Sequence, residues 1–121
     1  MILGLRTAIY PAPDLAAAKR WYADVLGVAP YFDEPFYVGF SVGGFELGLV
    51  PDGTPGTSGP QPLWGVANIE AAHSRLIQLG AKPLDPIVDV GGGIKVAAVL
   101  DPSGNRFGLI ENPHFNVSTV R

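Results

Sequence analysis

Gly44-Phe45-Glu46-Leu47-Gly48-Leu49-Val50 returns near the end of the chain as Gly104-Asn105-Arg106-Phe107-Gly108-Leu109-Ile110. Both stretches read glycine, two variable positions, an apolar residue, glycine, leucine and an apolar residue. The match extends backward. Asp14-Leu15-Ala16-Ala17-Ala18 opens a helical stretch that closes at Gly27, with Val28-Ala29-Pro30 after it. Asn68-Ile69-Glu70-Ala71-Ala72 opens another that closes at Gly80, followed by Ala81-Lys82-Pro83. A period this long marks a duplicated supersecondary unit. The seam between two such half-cores is where a site is expected.

Outward from the repeat, residues 3–10 read as a strand ended by Pro11 and Pro13, neither of which suits a central ladder. Asp14 is a good N-cap. Leu15, Ala18, Tyr22, Val25 and Leu26 share one helical face, and Gly27 supplies the left-handed stop. Strands follow over 31–33, 36–42 and 45–50, with Gly43-Gly44 as the hairpin turn. Residues 51–62 are rich in Pro, Gly, Ser and Thr without periodicity, and read as a linker. The order then repeats, with a strand over 63–67 and a helix from Asn68 through Leu79. Strands over 87–90 and 94–100 flank Gly91-Gly92-Gly93, and a last strand covers 106–111. The triple glycine has no helix behind it and reads as a turn, not a phosphate cradle. Asp101-Pro102-Ser103-Gly104 is a type I turn signature. The expected fold is α+β: two tandem β-α-β-β-β units whose curved mixed sheets surround a cavity, helices outside. One domain spans 1–121, with unit one over 1–50, the linker over 51–62, unit two over 63–112 and a tail over 113–121.

Composition narrows the function. With 47% hydrophobic and 16% charged residues, the 121-residue chain is a folded domain with a real core. Its eight basic residues are scattered against 11 acids, for a net charge of -3. No basic stripe offers nucleic acid a surface. There is no cysteine, which excludes disulfides, thiolate catalysis and cysteine-bound metals. No apolar run approaches a membrane span and the first residues do not form a signal peptide, so a cytoplasmic location is expected.

The duplicated unit, the phrase Asp14-Leu15 to Trp21-Tyr22 to Val25-Leu26-Gly27, and Asp101-Pro102-Ser103-Gly104-Asn105 before the last strand resemble the vicinal oxygen chelate superfamily. That superfamily includes glyoxalase I, extradiol dioxygenases, fosfomycin-resistance enzymes and bleomycin-resistance proteins. The resemblance implies metal ligands on the first and last strands of each unit. Counted from the local motifs, those positions are Thr7, Gly48, Gln61 and Gly108. Glycine has no donor atom and threonine is a poor ligand, whereas a catalytic site needs about three His, Asp, Glu or Cys ligands. No metal and no other cofactor is therefore expected. A slip of one residue in the first strand would put Arg6 at the cavity position. Aligning Glu46 with Gly108 would instead make Glu46 and Gln61 a two-ligand site.

Glu46 and Arg106 are repeat partners, each two residues before a paired glycine and so on the same strand face. They read either as polar handles on the cavity or as rim charges. The aromatic run from Tyr31 to Phe40, with Tyr37 at its centre, falls on strands that would wall the cavity of unit one. Its rings suit a flat ligand, although core packing competes. Tyr22, Trp64 and Phe107 read as core, and His73 and His114 as surface residues. No serine sits in a nucleophile motif. The leading reading is a metal-free member that binds or sequesters a small planar or aromatic molecule, as in antibiotic resistance. Its expected site residues are Thr7, Tyr37, Glu46, Gly48, Gln61, Arg106 and Gly108, with a homodimer as the assembly. The alternative is a divergent metal-dependent lyase, isomerase or dioxygenase.

Overall fold

A computed structural model describes residues 2–120; Met1 and Arg121, the ends of the expected domain span, lie outside the described residues. Two four-stranded sheets carry the same permuted order. β1 (Thr7–Pro11), β2 (Phe32–Glu34), β3 (Tyr37–Val42) and β4 (Phe45–Val50) are arranged β1-β4-β3-β2. β5 (Leu63–Gly65), β6 (Lys82–Gly91), β7 (Ile94–Leu100) and β8 (Arg106–Glu111) are arranged β5-β8-β7-β6. In each sheet the first strand runs parallel to the last and the other pairings are antiparallel. The duplication seen in the sequence is thus a duplication of topology, with no closed barrel.

The helices start and stop where their caps dictate. The Asp14 carboxylate accepts from Ala17 N at 3.1 Å to open α1 (Leu15–Leu26), and Gly27, at φ 69°, ends it. Asn68 does the same for α2 (Ile69–Gln78) by accepting from Ala71 N at 3.0 Å. Past Leu79, Gly80 N donates to Ile77 O and Ala81 N to Leu76 O, each at 3.0 Å. With Gly80 at φ 99° this is a Schellman stop.

The strand bounds depart from expectation at both edges. β1 begins only at Thr7 and runs through Pro11, which is tolerated because β1 is an edge strand. β6 extends from Lys82 across Pro83 and Pro86, also on an edge, and absorbs them with register shifts between Pro83 and Val88. β5 is shorter than expected, and the tail forms a short 3-10 turn over Val117–Thr119.

The two units share one core. Tyr10, Trp21, Tyr22 and Phe107 are buried, and half-buried Trp64 stacks on Phe107 with centroids 5.6 Å apart. The edge-on pair Trp21–Tyr22 within α1 and the pair Trp21–Phe107 across the units add directional packing, each worth about 0.5–1.5 kcal/mol beyond the burial itself. The polar tips are matched as well: Trp21 Nε1 donates to Leu79 O at 2.9 Å and Trp64 Nε1 to Tyr10 Oη at 3.1 Å.

The Asp101–Asn105 turn is the clasp between the halves. Asp101 Oδ1 accepts from Ser103 N and Asn105 N, which shapes the turn. Its Oδ2 accepts from the buried Tyr22 hydroxyl at 2.8 Å. Asn105 Nδ2 donates to Pro11 O at 2.6 Å, and Asn105 Oδ1 accepts from Gly56 N at 3.2 Å. One motif thereby ties unit two to the first helix, the first strand and the linker. Burial pushes the Tyr22 pKa well above the usual phenol value, and the Asp101 charge reinforces the shift.

Candidate functional site

Side chains alternate across a strand, so each sheet has a face toward the helices and a face away from them. On sheet one, Tyr10, Val38, Phe40, Leu47 and Leu49 enter the core. The opposite face carries Thr7 beside Glu46 and, in the next row, Ile9, Gly48 and Gly39 in continuous register with Phe32. Over this face opens a cleft of about 330 Å³ lined by Tyr31, Phe32, Phe36, Tyr37 and Glu46. Four of the aromatic residues from Tyr31 to Phe40 therefore wall a cleft. The fifth, Phe40, is fully buried in the core.

Two glycines make the cleft floor. An added Cβ on Gly48 would lie 2.6 Å from Tyr37 Cζ, and one on Gly39 would lie 3.2 Å from both the Tyr31 and the Tyr37 ring. The phenols thus lie against the bare backbone of two adjacent strands. Their hydroxyls converge on one carboxylate: Tyr31 Oη donates to Glu46 Oε1 and Tyr37 Oη to Glu46 Oε2. Phe32 stands between Phe36 and Tyr37, at 6.0 Å and 68° to each, so the walls are inclined rather than stacked. Tyr31 is 62% and Phe36 65% exposed.

Unit two fills the corresponding space. An added Cβ on Gly108 would meet Leu63 Cδ2 at 2.6 Å and the Pro62 carbonyl oxygen at 2.8 Å, and Ala98, its register partner on β7, is fully buried. The paired glycines of the repeat do not leave empty space: one lies under a tyrosine, the other under the chain entering β5. Arg106 pairs with Asp85 at 2.7 Å, while its repeat partner Glu46 holds the two phenols.

The structure brings Tyr37, Glu46 and Gly48 together, with exposed Thr7 beside Glu46 on β1. Gln61 is exposed ahead of β5, and Gln61, Arg106 and Gly108 do not line the cleft. The sequence reading placed the aromatic run on the cavity wall but named only Tyr37 of it as a site residue, leaving out Tyr31, Phe32 and Phe36, and it missed Gly39. The hairpin offered the signal, since a turn at Gly43-Gly44 sets Gly39 opposite Gly48 and so marks a two-glycine floor. His114 is exposed, with Nε2 2.7 Å from Gly92 O at the turn between β6 and β7. His73 is half-buried on α2.

A family model of the Glyoxalase/Bleomycin resistance protein/Dioxygenase superfamily matches residues 4–109. The chain belongs to this superfamily. Among solved structures, a glyoxalase-related enzyme from Fulvimarina pelagi superposes with a TM-score of 0.78 at 21% identity, covering 96% of this chain and 93% of the other. A lactoylglutathione lyase from Agrobacterium tumefaciens gives 0.76 at 19% identity, covering 96% and 100%. A superfamily member from Sphaerobacter thermophilus DSM 20745 gives 0.74 at 22%, covering 93% and 99%. At such identities the likeness is one of fold. No curated protein matches the chain.

The residues where the resemblance implies metal ligands do not fit a catalytic metal. Gly48 and Gly108 offer no donor, Thr7 is a poor ligand, and Glu46, the candidate of the shifted alignment, already accepts from a phenol on each oxygen. No group of three His, Cys, Asp or Glu side chains is gathered among the described residues. No helix among them is long and apolar enough to cross a membrane.

Proposed function

We propose that this superfamily member binds a small planar or aromatic organic molecule in the cleft of unit one. The observation that carries this reading is the cluster of Tyr31, Phe32, Phe36 and Tyr37 around Glu46, open to solvent on a sheet face that could have been covered. Large rings are kept exposed in one group only at some cost in hydration, and a contiguous apolar patch of this kind marks a binding surface. The inclined rings give a flat ligand an edge contact and a face contact, and Glu46, held by two phenols, fixes its orientation. Such binding needs no acid, base or nucleophile, which suits sequestration.

A ligand screen by thermal shift tests this reading, comparing the wild-type chain with Phe36→Ala. Small aromatic molecules should raise the melting temperature of the wild type and lose that effect in the variant. Elemental analysis of protein purified without chelators or a histidine tag should find no stoichiometric metal. Near-equimolar metal lost on replacing Glu46 or Gln61 would favour a metal-dependent lyase instead. The chain is further read as a homodimer. Exposed Ile9, Leu63 and Val88 (57%, 46% and 49%) support this, as apolar strand residues that association would cover. Light scattering at micromolar concentration should give a dimer mass, and a monomer mass would overturn it.

A further inference from the structure

We infer that the cleft selects an organic cation, a substituted ammonium borne on a small ring, over neutral or anionic aromatic molecules. This rests on reading the cleft as the ligand site. The first ground is an unbalanced charge. Glu46 accepts from two phenols, which engage one lone pair on each oxygen and bring no positive charge. The three ion pairs among the described residues lie elsewhere, joining Lys19 to Asp33, Lys95 to Glu70 and Arg106 to Asp85. Arg6, which precedes β1, turns its Nη1 to Leu5 O instead. The carboxylate therefore faces the cleft with no cation paired to it among the described residues.

The second ground is the walls. Aromatic faces carry negative quadrupole potential and attract cations lying within about 6 Å of the ring centre. The inclination of Phe32 against both Phe36 and Tyr37 turns ring faces toward more than one side of the opening. The third ground is the edge strand β2, where exposed Glu34 shares a strand face with Phe32 and adds a carboxylate outside the three ion pairs, while Asp33 on the other face is neutralised by Lys19. A divalent metal would demand several oxygen or nitrogen ligands in a closed shell, and Glu46 alone cannot supply them. An alkylated ammonium is weakly hydrated and asks only for ring faces and one nearby charge.

The test is a nuclear magnetic resonance titration of the whole chain with three probes of similar size. Phenyltrimethylammonium is a cation, N,N-dimethylaniline is uncharged at neutral pH, and benzoate is an anion. Phenyltrimethylammonium is expected to bind about tenfold or more tightly than N,N-dimethylaniline, with benzoate weakest. Glu46→Gln should erase the preference for charge. Tyr31→Ala, at an exposed position that leaves the core intact, should weaken the cation more than the neutral probe, and it decides the matter if the Glu46 variant does not fold. Equal affinities, or a charge preference that survives both variants, would overturn the inference while leaving the cleft as a site. Probes that leave residues 31–48 undisturbed would overturn both readings.

Discussion

Gly48→Ala places a methyl group where the Tyr37 ring lies, 2.6 Å from its Cζ. Gly48 sits in β4 without a positive φ, so the backbone itself accepts alanine. Two effects then oppose each other. Crowding in a packed position costs about 1–3 kcal/mol, here paid largely as the displaced phenol and its broken bond to Glu46. Replacing glycine in a strand returns about 0.5–1 kcal/mol of chain entropy. Crowding wins, and the net loss should be about 0.5–2 kcal/mol, a drop in melting temperature of roughly 3–6 °C per kcal/mol for a domain this size. Urea unfolding followed by tryptophan fluorescence reports it directly, because Trp21 and Trp64 both pack in the shared core. The decisive comparison is a double-mutant cycle with Tyr37→Ala. Without the ring, only the entropic gain is left, so Gly48→Ala should become neutral or stabilising by up to about 1 kcal/mol. If the penalty persists undiminished in the Tyr37→Ala background, Gly48 is not there to seat the phenol, and the account of the cleft floor is refuted.

Gly108→Ala should destabilise more than Gly48→Ala, toward the upper end of about 1–3 kcal/mol, because the Pro62 carbonyl that its Cβ would meet is backbone and cannot swing aside; denaturant titration ranks the two. Asn105→Ala should cost about 1–3 kcal/mol in the same assay, since it removes a buried side chain that bonds Pro11 O and Gly56 N at once. Stability should also fall in alkali. The Tyr22 pKa is raised by burial and then by Asp101, so its stabilising contribution is complete below pH about 10 and is lost as pH rises toward the folded value. In that window the unfolded chain releases a proton that the folded chain keeps. Thermal melts of Tyr22→Phe across pH 8–12 should show a shallower alkaline decline than wild type, and an identical slope would contradict it.

Much of the fold was legible because its signals are local. Asp14, Gly27, Asn68 and Gly80 act through their own turns of backbone, so the helices lie where those residues put them. Gly43-Gly44 fixed the hairpin register for the same reason. The long reach of β6 was hidden because Pro83 and Pro86 argue against a strand unless its place at the sheet edge is known. The site was half legible. The aromatic run and Glu46 stood out, and they do meet. What lies over the glycine pair was hidden, since sequence cannot say that Tyr37 in one unit and Leu63 in the other occupy the space a side chain would take. Arg106, the repeat equivalent of Glu46, read as a second polar handle or a rim charge, but Asp85 on the bulged β6 pairs with it away from the cleft. The Asp101–Asn105 turn read as a local signature, whereas three of its side-chain hydrogen bonds join distant parts of the chain.

The central claim is that the helix-free face of the first sheet, and not its filled counterpart in the second, receives the ligand. Mapping amide shifts of the whole chain while a panel of small aromatic molecules is titrated tests it most directly. Perturbations should gather at residues 31–39 and 46–48 and vanish in Phe36→Ala. Perturbations centred instead on Leu63, Arg106 and Gly108 would contradict the claim.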